Sequence, residues 1–182
     1  MYTPTGQLGA RLPDFHLPGV DGRPYAAKDF SDAKAVLVMF ICNHCPYVQA
    51  IEDRLLQLAR TIQAQGVAVI GICSNDATDY PEDGPEKLRQ RWQEKSYGFP
   101  YLIDEKQDVA KAFGAVCTPD LYVYDGERKL RYRGRLDDSW RNPAGVRQQE
   151  LRDAITRILQ NAPVAEPQNP SMGCSIKWKS HD

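Results

Sequence analysis

Two continuous apolar runs organise the first half of the chain, Ala35-Val-Leu-Val-Met-Phe-Ile41 and Val67-Ala-Val-Ile-Gly-Ile-Cys73. Both are short and rich in β-branched residues, the pattern of strands buried on both faces. Between them Val48, Ile51, Leu55, Leu58 and Ile62 recur every three or four residues, and Gly66 follows. That stripe predicts an amphipathic helix closed by the glycine. Strand, helix and strand within about forty residues predict a right-handed βαβ unit with a parallel strand pair.

Downstream, Asp83-Gly-Pro-Glu86 reads as the start of a helix carrying Leu88 and Trp92, and Phe99 to Ile103 as a short strand. A second short helix, Glu105 to Phe113, is stopped by Gly114. Leu121–Tyr124 and Leu130–Arg133 flank Asp125-Gly126, a hairpin turn signal. A last helix after Pro143 turns Val146, Leu151, Ile155, Ile158 and Leu159 inward. Ahead of the βαβ unit, Phe15 to Leu17 and the Val20-Asp-Gly-Arg23 turn predict a small N-terminal hairpin. After Asn161 the pattern changes: Pro163, Pro167 and Pro170 in a polar stretch make an extended linker. It ends in Gly173-Cys-Ser-Ile-Lys-Trp-Lys179, whose Ile176 and Trp178 need a surface to lie on. The expected organisation is one α/β domain over residues 1–160 with a linker and tail over 161–182.

Composition narrows the function. The chain has 182 residues, 42% of them hydrophobic, enough for one core without covalent staples. Lys+Arg 23 against Asp+Glu 24 leaves a net charge of -1, spread along the chain. Binders of nucleic acid or anionic membranes carry a basic surplus or stripe, so neither partner is expected. The longest apolar stretch, Ala35 to Cys42, is far short of a membrane span, and MYTPTGQLGARLPDF holds no signal-peptide core. A cytoplasmic setting, where thiols stay reduced, is therefore expected. Five cysteines in that setting point to chemistry or plain burial rather than a disulfide framework.

The chemistry concentrates at Cys42-Asn43-His44-Cys45, where the first buried strand meets the amphipathic helix. Pro46 has no N–H and is harmless only in a helix's first turn, which predicts a helix starting near Asn43 as N-cap. Cys42 then lies just ahead of the helix and Cys45 within its first turn. Free N–H groups, the helix dipole and His44 all favour a thiolate at Cys42. Together they would lower its pKa from about 8.5 to roughly 3.5–7.5. One cysteine attacks a substrate disulfide and the other resolves the mixed disulfide. A zinc site would need two more ligands, and His16, Cys73, Cys117, Cys174 and His181 are all singles, so neither metal nor other cofactor is expected. Cys73, at the end of a buried strand, reads as an inert core thiol. Cys117, two residues before Pro119, and Cys174, in an accessible tail, are the possible accessory thiols. Lys87, Arg89, Arg91 and Lys95 read as a solvated helix face.

Several motifs taken together carry a resemblance that spans nearly the whole chain. They are Pro13-Asp-Phe, the Val20-Asp-Gly turn, Cys42-Asn-His-Cys-Pro-Tyr47, Phe99-Pro-Tyr-Leu-Ile-Asp104, Cys117-Thr-Pro-Asp120, Gly134-Arg-Leu-Asp137 and the Gly173–Lys179 tail. The sequence resembles the thioredoxin superfamily, most closely its peroxiredoxin-like, AhpC/TSA-type branch that carries C-x-x-C. That resemblance implies an α/β thioredoxin-like fold: a central mixed β-sheet flanked by helices, with an N-terminal hairpin extension and an inserted helix and strand between Asp83 and Ile103. It also implies that Thr118-Pro119 is a cis-proline loop facing the cysteine pair and hydrogen-bonding substrate backbone. The implied activity is thiol–disulfide exchange with protein or small-molecule disulfides, renewed by a thiol or a thioredoxin-reductase-type electron donor.

The sequence also departs from its relatives. Peroxiredoxins use P-x-x-x-T-x-x-C. With Cys45 as the final cysteine, Val38 and Cys42 stand at the Pro and Thr places; with Cys42, Ala35 and Met39 do. Thioredoxins place Trp before the first cysteine and an Asp six residues ahead of it, where this chain has Ile41 and Val36. A thiol peroxidase with antioxidant activity is the second enzyme reading. A metal-binding or copper-delivery protein on the same fold is the third, although such relatives usually separate their cysteines by three residues.

Overall fold

The computed structural model describes residues 1–180, so His181 lies outside the described residues. The chain opens with the expected antiparallel hairpin of β1 (His16–Pro18) and β2 (Pro24–Ala26). The βαβ unit follows as β3 (Ala35–Phe40), α1 (Pro46–Gln63) and β4 (Val67–Cys73). A short helical turn (Pro81–Asp83), α2 (Pro85–Glu94) and β5 (Tyr101–Ile103) form the inserted segment. After it come α3 (Asp108–Phe113), β6 (Cys117–Thr118), β7 (Asp120–Tyr124) and β8 (Leu130–Gly134). The chain finishes with α4 (Glu150–Leu159) and β9 (Cys174–Ser175).

Five strands make the central sheet in the order β5-β4-β3-β7-β8. β3, β4 and β5 run parallel, whereas β7 is antiparallel to both β3 and β8. The sheet is therefore mixed, with β3 at its centre. Side chains alternate across a strand, so the unbroken run of β3 feeds two cores. Ala35, Leu37 and Met39 face the layer built from α1, α4 and Leu88 of α2. Val36, Val38 and Phe40 face the layer holding α3 and the N-terminal hairpin, where Phe113 and Tyr122 meet Phe40 edge-on. The predicted stripe of α1 is buried as expected. Truncating one of its members, Leu55→Ala, costs about 2–5 kcal/mol for a core leucine. Among the described residues no helix is long and apolar enough to cross a membrane.

Four local expectations need correction. α1 begins at Pro46 with an extended Cys45 as N-cap, not near Asn43. The Asn43 amide goes instead to Asp83, and its side-chain NH2 donates to the carbonyls of Glu82 and Lys87. α3 begins at Asp108 rather than Glu105, because Asp104 accepts from the amides of Val109 and Ala110 and fixes the entry turn. α4 begins at Glu150, leaving Val146 in the loop ahead of it. The basic row on α2 is not all solvated: Arg91 makes two hydrogen bonds to the buried carboxylate of Glu52.

The tail does not hang free. β9 pairs antiparallel with β6, setting Thr118 opposite Cys174 and Cys117 opposite Ser175. Ile176 is 2% exposed and joins the second core, while Trp178 stays 41% exposed. The described part of the tail, residues 161–180, thus returns to the domain that precedes it.

Candidate active site

The strand–helix junction after β3 delivers Cys42 and Cys45 to one place beside the β6–β7 corner. Both are reduced and almost sealed, at 2% and 0% exposure. Cys42 Sγ lies 3.3 Å from the Thr118 hydroxyl, and Cys45 Sγ lies 3.2 Å from the Thr118 carbonyl oxygen. The Thr118–Pro119 peptide is cis, as the resemblance implied. Thr118 therefore meets both sulfurs of the pair.

On the other side stands Asp83, whose side chain is fully buried. It accepts from the backbone amides of Asn43 at 2.7 Å and His44 at 3.3 Å, and from the Asn75 side chain at 2.8 Å. The His44 ring binds it through Nδ1 and stacks on Tyr80 with centroids 5.1 Å apart. A carboxylate at Val36 is absent, and one arrives from the inserted segment instead. Sequence reasoning took Asp83 only as part of a helix start. The signal lay in an acidic residue within the insertion, but nothing local pairs it with a cysteine forty positions earlier.

Cys42 donates its S–H to Cys45, and burial and the Asp83 carboxylate further oppose charge there, so its pKa is pushed up. The same bond, helped by the Val48 amide and by Cys174, pushes Cys45 down to about 4. These directions favour charge on Cys45, whereas the sequence pointed to Cys42. The shift of the helix start explains part of this, since Cys45 is the residue at the N-terminus of α1. The Thr118 contacts suit the opposite arrangement. A carbonyl only accepts, so it can receive a Cys45 S–H, while the hydroxyl can donate to a Cys42 thiolate. Hydrogen-bond partners thus exist for both placements of the proton.

The remaining cysteines separate cleanly. Cys73 is buried at the end of β4 and its pKa is raised by that burial and by Asp83, matching an inert core thiol. Cys117 is fully buried, and burial together with Asp120 pushes it up to about 12. Cys174 is half-buried, stands opposite Thr118 and packs against the core that holds Cys42 and Cys45, so the tail thiol lies at the site that its sequence position left open.

Cys42, His44 and Asp83 place three donor atoms within 4.8 Å of one another, the one such cluster among the described residues. The Asp83 oxygens are already taken up by four hydrogen bonds from Asn43, His44 and Asn75. That geometry suits a carboxylate that orients His44 and the C-x-x-C backbone.

Known proteins share this architecture. A crystal structure of an uncharacterized conserved protein from Geobacillus kaustophilus superposes with a TM-score of 0.94 and is 44% identical, covering 100% of this chain and 97% of that one. The thiol-disulfide oxidoreductase ResA of Geobacillus thermodenitrificans is 25% identical over 124 residues, 68% of this chain and 67% of its own length. The thiol:disulfide interchange protein DsbE of Pasteurella multocida is 30% identical over 114 residues. That match spans 61% of this chain and only 56% of the relative. Residues 8–133 match the AhpC/TSA family. Its fold is thioredoxin-like, and the chain belongs to the AhpC/TSA family.

Proposed function

We propose that this chain is a thiol–disulfide oxidoreductase that exchanges disulfides through Cys42 and Cys45. Its relatives support a thioredoxin-like redox role in general. The observation that carries the specific reading is a pair of buried, reduced cysteines with Thr118 against both sulfurs.

In the proposed cycle, Cys45 takes the Cys42 proton and Cys42 attacks one sulfur of a substrate disulfide. The Thr118 hydroxyl steadies the Cys42 thiolate, and the Thr118 carbonyl accepts the new Cys45 S–H. The substrate's other sulfur leaves as a thiolate. Cys45 then loses its proton and attacks Cys42 Sγ, which forms the Cys42–Cys45 disulfide and expels the second substrate thiolate. His44, held by Asp83, tunes Cys42 from the opposite side. Protein or small-molecule disulfides are the substrate class, and a thiol or thioredoxin-reductase-type donor renews the pair in a cytoplasmic setting.

Disulfide-reductase assays test the assignment. Cys42→Ser should fall to background, and Cys45→Ser should accumulate mixed disulfides at Cys42. Full activity in Cys42→Ser overturns the reading. Membership of the AhpC/TSA family supports a second one, thiol peroxidase. Oxidation by stoichiometric hydrogen peroxide far faster than that of free cysteine would favour it; a rate like that of free cysteine would dismiss it. Metal analysis of anaerobically purified protein tests the metal-delivery reading.

A further inference from the structure

The edge of β6 that carries Thr118 is not open: the chain's own tail occupies it. Gly173 approaches so closely that a Cβ there would lie 2.0 Å from the Thr118 carbonyl oxygen. The Met1 ammonium group donates to the Gly173 carbonyl at 3.0 Å, and the Gly173 amide returns a bond to Met1 at 2.9 Å. Beyond the cysteine, the Ile176 amide donates to Val116 at 2.9 Å. The Lys177 amide donates to the Asn75 side chain and its carbonyl accepts from Gln107, both at 2.8 Å. Fixed on both sides, Cys174 is held opposite Thr118, the residue whose carbonyl oxygen lies 3.2 Å from Cys45 Sγ. It is also the least buried of the site's three thiols.

We infer that Cys174 is a third redox thiol of this site, forming a disulfide with Cys45 in exchange with the Cys42–Cys45 disulfide. The inference rests on the thiol–disulfide exchange proposed above, which supplies the oxidised pair. The Cys174 thiolate attacks Cys45 Sγ, so the Cys45–Cys174 bond forms as the Cys42–Cys45 bond breaks. The electron pair leaves on Cys42 as a thiolate beside the Thr118 hydroxyl. One disulfide and one thiolate are present before and after, and the proton lost by Cys174 passes to solvent, so no further oxidant is consumed. The consequence is directional: the disulfide moves from a sealed pair to the half-buried tail, where a small thiol reductant can reach it.

The site makes this nucleophile conditional. In the reduced protein Cys174 is pushed up to about 11, by burial and then by the charge-bearing Cys45 beside it. Oxidation of Cys45 removes that charge and leaves the favourable pull of Lys177 and the amino terminus.

Peptide mapping of the full chain tests the inference. The wild type and Cys42→Ser are equilibrated in glutathione redox buffers, quenched with acid, alkylated and digested with trypsin. Cleavage after Lys34, Arg54, Arg157 and Lys177 puts Cys42 and Cys45 on one peptide and Cys174 on another. A Cys45–Cys174 cross-link should appear beside Cys42–Cys45 in the wild type and dominate in Cys42→Ser. Cys174→Ser should keep Cys42–Cys45 and lose the cross-link. Formation of Cys42–Cys45 with no cross-link in either the wild type or Cys42→Ser overturns the third thiol and leaves the exchange reading standing. Failure to form any of these disulfides overturns both, and a cross-link without Cys42–Cys45 supports Cys174 but overturns the role of Cys42.

Discussion

The reactive pair lies between two walls of different construction. On one side Asp83 fixes the C-x-x-C backbone with a buried carboxylate, and His44, Asn43 and Asn75 supply its donors. On the other side the partners are Thr118 and the tail, joined by a ladder only two residues long. Buried charge-assisted hydrogen bonds are hard to break, because an abandoned carboxylate stays desolvated. A short edge ladder opens at much lower cost. The first wall therefore fixes the backbone of the pair, and the second is the one that can open. Tyr80 links them, with His44 stacked on its ring and Lys177 Nζ 5.4 Å from its centroid.

Experiments can break this contrast in order of effect. The largest is loss of turnover in Cys42→Ser, measured as disulfide reduction, since the attacking sulfur beside the Thr118 hydroxyl is gone. Next comes Asp83→Ala on the fixed wall. It removes the acceptor of four hydrogen bonds and should lower stability by about 1.5–3 kcal/mol in urea denaturation. Gly173→Val probes the opening wall. Its Cβ would collide with the Thr118 carbonyl, so the tail should lift without unfolding the domain. Two lost backbone hydrogen bonds at about 0.5–1.5 kcal/mol each predict alkylation of Cys42 and Cys45 faster by about tenfold. An unchanged alkylation rate would show that the tail does not close the site.

A further way to test the pair is the pH dependence of stability. Cys45 is lowered from an ordinary value of 9.0 to about 4, so the folded state holds that proton less tightly than the unfolded chain. Its contribution to the reduced protein is full above about pH 9, declines as pH falls and is gone below about pH 4. The difference in stability between wild type and Cys45→Ala, measured across that interval, should shrink toward acid.

What was legible in the sequence follows the same contrast. The apolar runs Ala35–Ile41 and Val67–Cys73 and the α1 stripe are local patterns, and the structure reproduces them within a residue or two. The position of C-x-x-C at the strand–helix junction followed directly. The start of α1 did not, because Asn43 serves Asp83, Glu82 and Lys87 rather than its own helix. Asp83 was hidden because its partners lie about forty residues away. The tail was hidden by its composition: prolines and polar residues describe the path of 161–172 but not where it docks. Ile176 and Trp178 were the local hints, apolar residues in need of a surface; Ile176 is buried beside Val116, whereas Trp178 stays exposed.

The central claim is that Cys42 and Cys45 cycle between dithiol and disulfide. Equilibrating the reduced protein against glutathione redox buffers, with acid quenching and mass analysis of both cysteines, tests it most directly. The account predicts reversible formation of Cys42–Cys45 in a two-electron transition, about 30 mV per tenfold change in ratio. Two thiols that remain fully alkylatable across the whole range of buffers would contradict it.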